Sequence, residues 1–135
     1  MDIVRNLQRL VYEQLRGINF GLEVGLYSYP PREVAFPYLL IAMEESRVSQ
    51  NFGYEGVRIK MKIKIFDRSE NNARILGISD GTVKGLENLQ ALGFGDLRII
   101  GVFFGGSELK LYSEINPTWS NSLDFEVAVE RVSPR

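Results

Sequence analysis

From Val57 to Phe66 the chain alternates. Val57, Ile59, Met61, Ile63 and Ile65 are apolar, Arg58, Lys60, Lys62 and Lys64 are cationic, and Phe66 ends the run. A period of two fits an extended strand and divides it into an apolar face and a charged one. Such a strand belongs in a sheet that is covered on one side and wet on the other, which is the habit of antiparallel sheets. Toward the end of the chain Leu123, Phe125, Val127 and Val129 alternate with Asp124, Glu126, Ala128 and Glu130, the same pattern with the opposite charge.

The segments between supply the rest of an α+β fold. Residues 2–18 place Ile3, Val4, Leu7, Leu10, Val11 and Leu15 at helical spacing, with Asp2 positioned to cap the start and Gly17 to stop the end. A turn at residues 19–21 leads to a short strand at 22–29, which Pro30 and Pro31 end because neither can donate a ladder hydrogen bond. After a loop and Pro37, whose bond to Phe36 is a candidate cis peptide, residues 38–43 form an apolar strand. Residues 44–56 are polar and read as an exposed hairpin loop.

Residues 70–92 read as a second helix, capped by Asp67 or Ser69, with Leu76, Ser79, Val83 and Leu86 on its inner stripe and Ile75, Ile78 and Leu89 widening it. Gly77, Gly81 and Gly85 form a smooth ridge, suited to close packing on the sheet or to a partner helix. Strands at 97–104 and 108–114 flank a Gly105-Gly106 turn, residues 116–121 form a loop carrying Trp119, and the acidic strand closes the order α-β-β-β-α-β-β-β. The expected architecture is one domain, residues 1–135, with a mostly antiparallel sheet and both helices on one face.

The chemical inventory argues against catalysis. The 135 residues contain neither cysteine nor histidine, which removes thiolate nucleophiles, sulfur-ligated metals, the usual neutral-pH base and the commonest metal ligand. No phosphate-binding glycine loop, calcium loop or nucleophile elbow is present. No catalytic, cofactor-binding or metal-ligating residue is therefore assigned, and no cofactor is expected. Sixteen basic and seventeen acidic residues leave a net charge of −1, unlike a protein that holds nucleic acid by bulk charge. The first residues do not read as a signal peptide, and no apolar run is long enough to suggest a membrane span.

The best leads are surfaces. Arg58, Lys60, Lys62 and Lys64 face outward on one strand, and Asp124, Glu126 and Glu130 on another. Side by side they would form a ladder of opposite charges; apart, the basic stripe could meet an acidic face of a neighbouring subunit or a phosphate backbone. The near-zero net charge and the matching acidic strand favour the ladder. Phe52 and Tyr54 in the polar loop and Trp119 in the late one are candidate contacts, since large aromatics concentrate at the centres of protein interfaces.

Leu26-Tyr27-Ser28-Tyr29-Pro30-Pro31 followed by Phe36-Pro37-Tyr38-Leu39-Leu40-Ile41, set between an amphipathic helix and an alternating strand with a helix behind it, resembles the tail-completion, or tail-terminator, family of long-tailed bacteriophages and prophages. The resemblance spans nearly the whole chain. Residues 44–56 and the three helix glycines depart from the family pattern. It implies a structural, non-enzymatic virion protein, made in the host cytoplasm. Such a protein forms a homo-oligomeric ring, usually of six subunits, at the head-proximal end of the tail tube. Its partners would be the tail tube protein and the head connector, with DNA only as passing cargo and no membrane. Another neck or head–tail connector component is the alternative within such particles, and a small-ligand-binding α+β domain the alternative outside them.

Overall fold

The computed structural model describes residues 3–49, 56–89, 93–94, 97–113 and 115–131. Its elements run α1 (Ile3–Arg16), β1 (Gly25–Tyr27), β2 (Tyr38–Ser49), β3 (Gly56–Arg68), α2 (Ala73–Glu87), β4 (Gly93–Phe94), β5 (Leu97–Leu111) and β6 (Thr118–Arg131). The six strands form one sheet in the order β1-β2-β3-β6-β5-β4. Every neighbouring pair is antiparallel except β1 with β2. The α+β class is observed, and the strands of the second half differ from those expected.

The period of two sets the layers. Ile59, Met61, Ile63 and Ile65 of β3 lie opposite Val127, Phe125, Leu123 and Asn121 of β6. All eight are buried, as are Leu39 and Ile41 of β2 and Ile99 of β5. Leu7, Leu10, Val11 and Leu15 of α1 and Ile75, Ile78 and Leu86 of α2 join them in one apolar cluster. Burying a side chain of this size contributes about 1.5–3 kcal/mol, so the cluster is what holds both helices on the sheet.

Several expectations about the elements are corrected. Residues 44–49 of the expected polar loop continue β2, because β3 is long enough to pair with them as far as Ser49↔Gly56; residues 50–55 lie outside the described residues. Gly105 and Gly106 make no turn. A β6 that runs from Thr118 to Arg131 needs a partner along its whole length, and β5 supplies one by running on through bulges at Ile99/Gly101 and Phe104/Gly106. Gly106 sits at φ 130°, backbone that side chains other than glycine rarely adopt. The third strand of the second half is instead β4, paired to β5 through Gly93↔Arg98 and Phe94↔Leu97. The first strand shrinks to Gly25–Tyr27.

A further correction concerns α2, which is shorter than expected and rotated. Ile75, Ile78, Ser79, Thr82, Gly85 and Leu86 face inward, whereas Leu76 is exposed. Asn72 stands at its N-cap without a side-chain bond, and Asn71 Oδ1 accepts from the Ala73 N–H instead, at 3.0 Å. Asp67, expected as a cap, is buried and holds Arg74 from inside: Arg74 Nε donates to both carboxylate oxygens at 3.0 Å, and Nη2 bonds Asp67 and the Arg68 carbonyl. Of the glycine ridge, Gly81 and Gly85 pack on the connection after α1 and not on the sheet. A Cβ at Gly85 would lie 2.2 Å from Ile18 Cδ1, and one at Gly81 3.1 Å from Phe20 Cε1, while Gly77 faces open space. Gln14 Nε2 donates to the Gly85 carbonyl across the same junction, at 2.8 Å. The Asp2 cap lies outside the described residues.

Candidate functional site

The uncovered face of the sheet is the first candidate surface. On β3 the side chains of Arg58, Lys60, Lys62 and Lys64 point away from the helices, and the register sets them opposite Ala128, Glu126, Asp124 and Ser122 of β6. Lys62 Nζ lies 3.7 Å from Asp124 and Arg58 Nη1 lies 3.7 Å from Glu126, the second pair crossing diagonally. Glu130, on the same face, pairs toward β5 with Arg98 and not with the basic strand. The basic and acidic strands are thus neighbours, and their charges meet within the chain. Exposed pairs of this kind are worth about 0.2–1 kcal/mol each, so their effect is to fix register and keep the face wet.

The second candidate was not legible as a site. Among the described residues, most of the large apolar side chains left in solvent belong to β5 or the loop after it: Ile100, Phe103, Phe104, Leu111, Tyr112 and Ile115, with Phe103 at 56% and Ile115 at 91% exposure. Phe103 lies on the outer face with its ring against Gly101, where a Cβ would fall 2.9 Å from Cζ. Beside it, Lys60, Gly105, Asp124 and Glu126 border an open depression of about 400 Å³. On the helix side, the Phe104 ring packs 5.3 Å from that of Phe125 and stays 42% exposed. There α2 and β5 do not close, and a groove of about 310 Å³ runs between them past Leu76, Val83, Phe104 and Leu123. Asn121 sits at its floor. Its Nδ2 donates to Ser79 Oγ at 2.7 Å, while its buried Oδ1 has no hydrogen-bond partner among the described residues.

The edge of β5 matters as much as its side chains. β4 pairs with it only at Leu97 and Arg98, so among the described residues no strand covers residues 99–111 on that side. On the opposite flank β1 pairs with residues 38–40 of β2, and no described strand covers residues 41–49. An uncovered edge presents a row of backbone donors and acceptors to any extended chain that meets it. The signal for β5 was in the sequence: Phe103 and Phe104 directly precede two glycines, which read as a turn but serve as a bulge.

Tyr27, Phe36, Tyr38 and Phe66 gather at one end of the sheet. Tyr38 stacks on Phe66 with centroids 5.0 Å apart and meets Tyr27 edge-on at 5.8 Å. Arg68 lies 4.6 Å over the Phe36 ring, and the Phe36–Pro37 bond is cis. Burial, with Tyr27 adding to it, raises the Tyr38 phenol above its ordinary pKa. Trp119 begins β6 rather than lying in a loop, is half-buried, and donates its indole N–H to the Ser69 carbonyl at 3.0 Å. Phe52 and Tyr54 lie outside the described residues. Among the described residues no group of three or more acidic, histidine or cysteine side chains could hold a metal ion, and no helix is long and apolar enough to cross a membrane.

No protein-family model matches the chain, and no curated protein matches it in sequence. The fold does have a likeness among solved structures. A chain of the "Virion of native gene transfer agent (GTA) particle" superposes with a TM-score of 0.73 at 16% identity, covering 95% of this chain and 97% of that one. At that identity the likeness establishes a shared fold from end to end.

Proposed function

We propose that this chain is a structural, non-enzymatic protein of a phage-like particle, and that within it the chain acts as a tail terminator. In this reading, copies form a ring on the head-proximal end of the tail tube, stop its growth and offer the head connector a seat. The observation that carries the reading is the near-complete fold match to a chain of a gene transfer agent virion. Three further features support it. The proline–aromatic segment from Leu26 to Ile41 resembles that of tail-completion proteins. The chain lacks histidine and cysteine. The surface is built from open strand edges and exposed aromatics, features suited to assembly.

A head-to-tail ring needs two different, complementary patches on each subunit. Electron microscopy of the purified chain mixed with tube protein tests the reading. Rings capping one end of tubes, and tubes of bounded length, are the expected result. Tubes that grow unchecked with no added density at either end would overturn the terminator role. Capture of the connector without any effect on tubes would reassign the chain to another position in the neck.

A further inference from the structure

We infer that copies of this chain join by strand addition, the open edge of β5 in one copy pairing with the open edge of β2 in the next to continue a single sheet. The inference rests on the assembly reading above and names the surface that performs it.

Three observations converge. The first is direction. β2 and β6 run one way and β3 and β5 the other, because the pairs β2–β3, β3–β6 and β6–β5 are all antiparallel. A copy related by rotation about an axis roughly parallel to the strands keeps its strand directions. Its β2 therefore arrives antiparallel to β5, which is the more stable ladder.

The second is level. Reading the register across the sheet, Ile41 stands level with Ile63, Leu123 and Ser107, and Val48 with Val57, Val129 and Ile99. The uncovered part of β2 and residues 99–107 of β5 thus occupy the same height on opposite flanks. β4 bounds this window at one end, at Leu97 and Arg98. The added copy's β1 bounds it at the other, where β5 must leave the line of the new strand. The bulge at Phe104/Gly106 stands at that point, and bulges bend the strand that carries them.

The third is chemistry. Residues 99–107 hold Ile100, Phe103 and Phe104, all exposed, and contain no charge and no proline, so that apart from two bulges this edge is unguarded, while the β2 edge carries Glu44, Glu45 and Arg47. The two edges differ, so the contact is heterologous and repeats from copy to copy. The charged outer faces, already paired within each chain, would then run on as one surface.

The absence of cysteine makes a clean test available. Phe103 and Glu45 both stand level with the Lys60–Glu126 pair. Phe103→Cys protein mixed with Glu45→Cys protein should form a disulfide-linked dimer under oxidation, with neither protein linking to itself. Ala42→Cys and Arg47→Cys allow for a stagger of the two strands. In the unaltered chain, amide exchange in residues 41–48 and 99–107 should slow together on assembly, by about tenfold or more. Self-linking of Phe103→Cys, or assembled particles in which neither segment gains protection, would overturn strand addition and leave the tail-terminator reading standing. A chain that stays monomeric both alone and with tube protein would remove both.

Discussion

Asp67 and Arg74 tie the end of β3 to the first turn of α2. Asp67 is fully buried, and its hydrogen bonds raise the pKa of an arginine whose other side faces solvent. Removing the arginine strands a buried carboxylate. Arg74→Ala should therefore cost about 3 kcal/mol in urea unfolding, and adding Asp67→Asn should restore part of that loss by removing the unpaired charge. The helix glycines divide by what they face. Gly77→Ala meets nothing and should stabilise by up to about 1 kcal/mol. Gly85→Ala drives a methyl against Ile18 and should destabilise by about 1–3 kcal/mol. Ile18→Val deletes the crowded Cδ1, so the double variant should lose less than the two single changes summed, a coupling that a double-mutant cycle measures. Equal effects at Gly77 and Gly85 would mean that the connection after α1 does not hold the helix this closely.

At the scale of elements, what was legible is what periodicity encodes. β3 and β6 alternate over most of their length, so their faces follow from a period of two, and the opposite charge of those faces favoured the adjacency that the register shows. Helix α1 follows from its apolar stripe. Periodicity failed where a bulge shifts it by one residue: β5 read as two strands around a turn, and β2 ended early in a polar stretch whose strand character comes from its long partner β3. In α2 the glycines hid which side was covered, because their partners are Ile18 and Phe20 from a distant connection. For the same reason the charged candidates could be placed from sequence and the β5 surface could not. The aromatic group on β1, β2 and β3 gives a test at this scale. Folding raises the Tyr38 pKa, so the unfolded chain releases that proton first. The stabilisation is complete below the unfolded value of about 10 and declines as pH rises through the folded one. Urea midpoints should fall above that pH, and Tyr38→Phe should flatten the decline.

For the whole molecule, the question is which surface carries assembly, because the charged face and the β5 edge make opposite demands on the solvent. A contact built on Arg58, Lys60, Lys62 and Lys64 meeting Asp124, Glu126 and Glu130 of another copy would compete with the pairs these residues form inside the chain. It would also weaken as salt shortens the Debye length to about 3 Å near 1 M. A contact made by backbone hydrogen bonds along β5, flanked by Phe103 and Phe104, has no such competitor and buries apolar surface, which salt does not screen. Sedimentation should accordingly show assembly that persists near 1 M salt. Phe103→Glu should weaken it strongly, since it removes an apolar side chain that is exposed in the single chain and sets a carboxylate level with Glu45 of the next copy. Lys64→Glu, on the outer face opposite Ser122, should leave assembly in place. Dissociation by salt, with Phe103→Glu still assembling, would move the junction from the sheet's edge to its charged face.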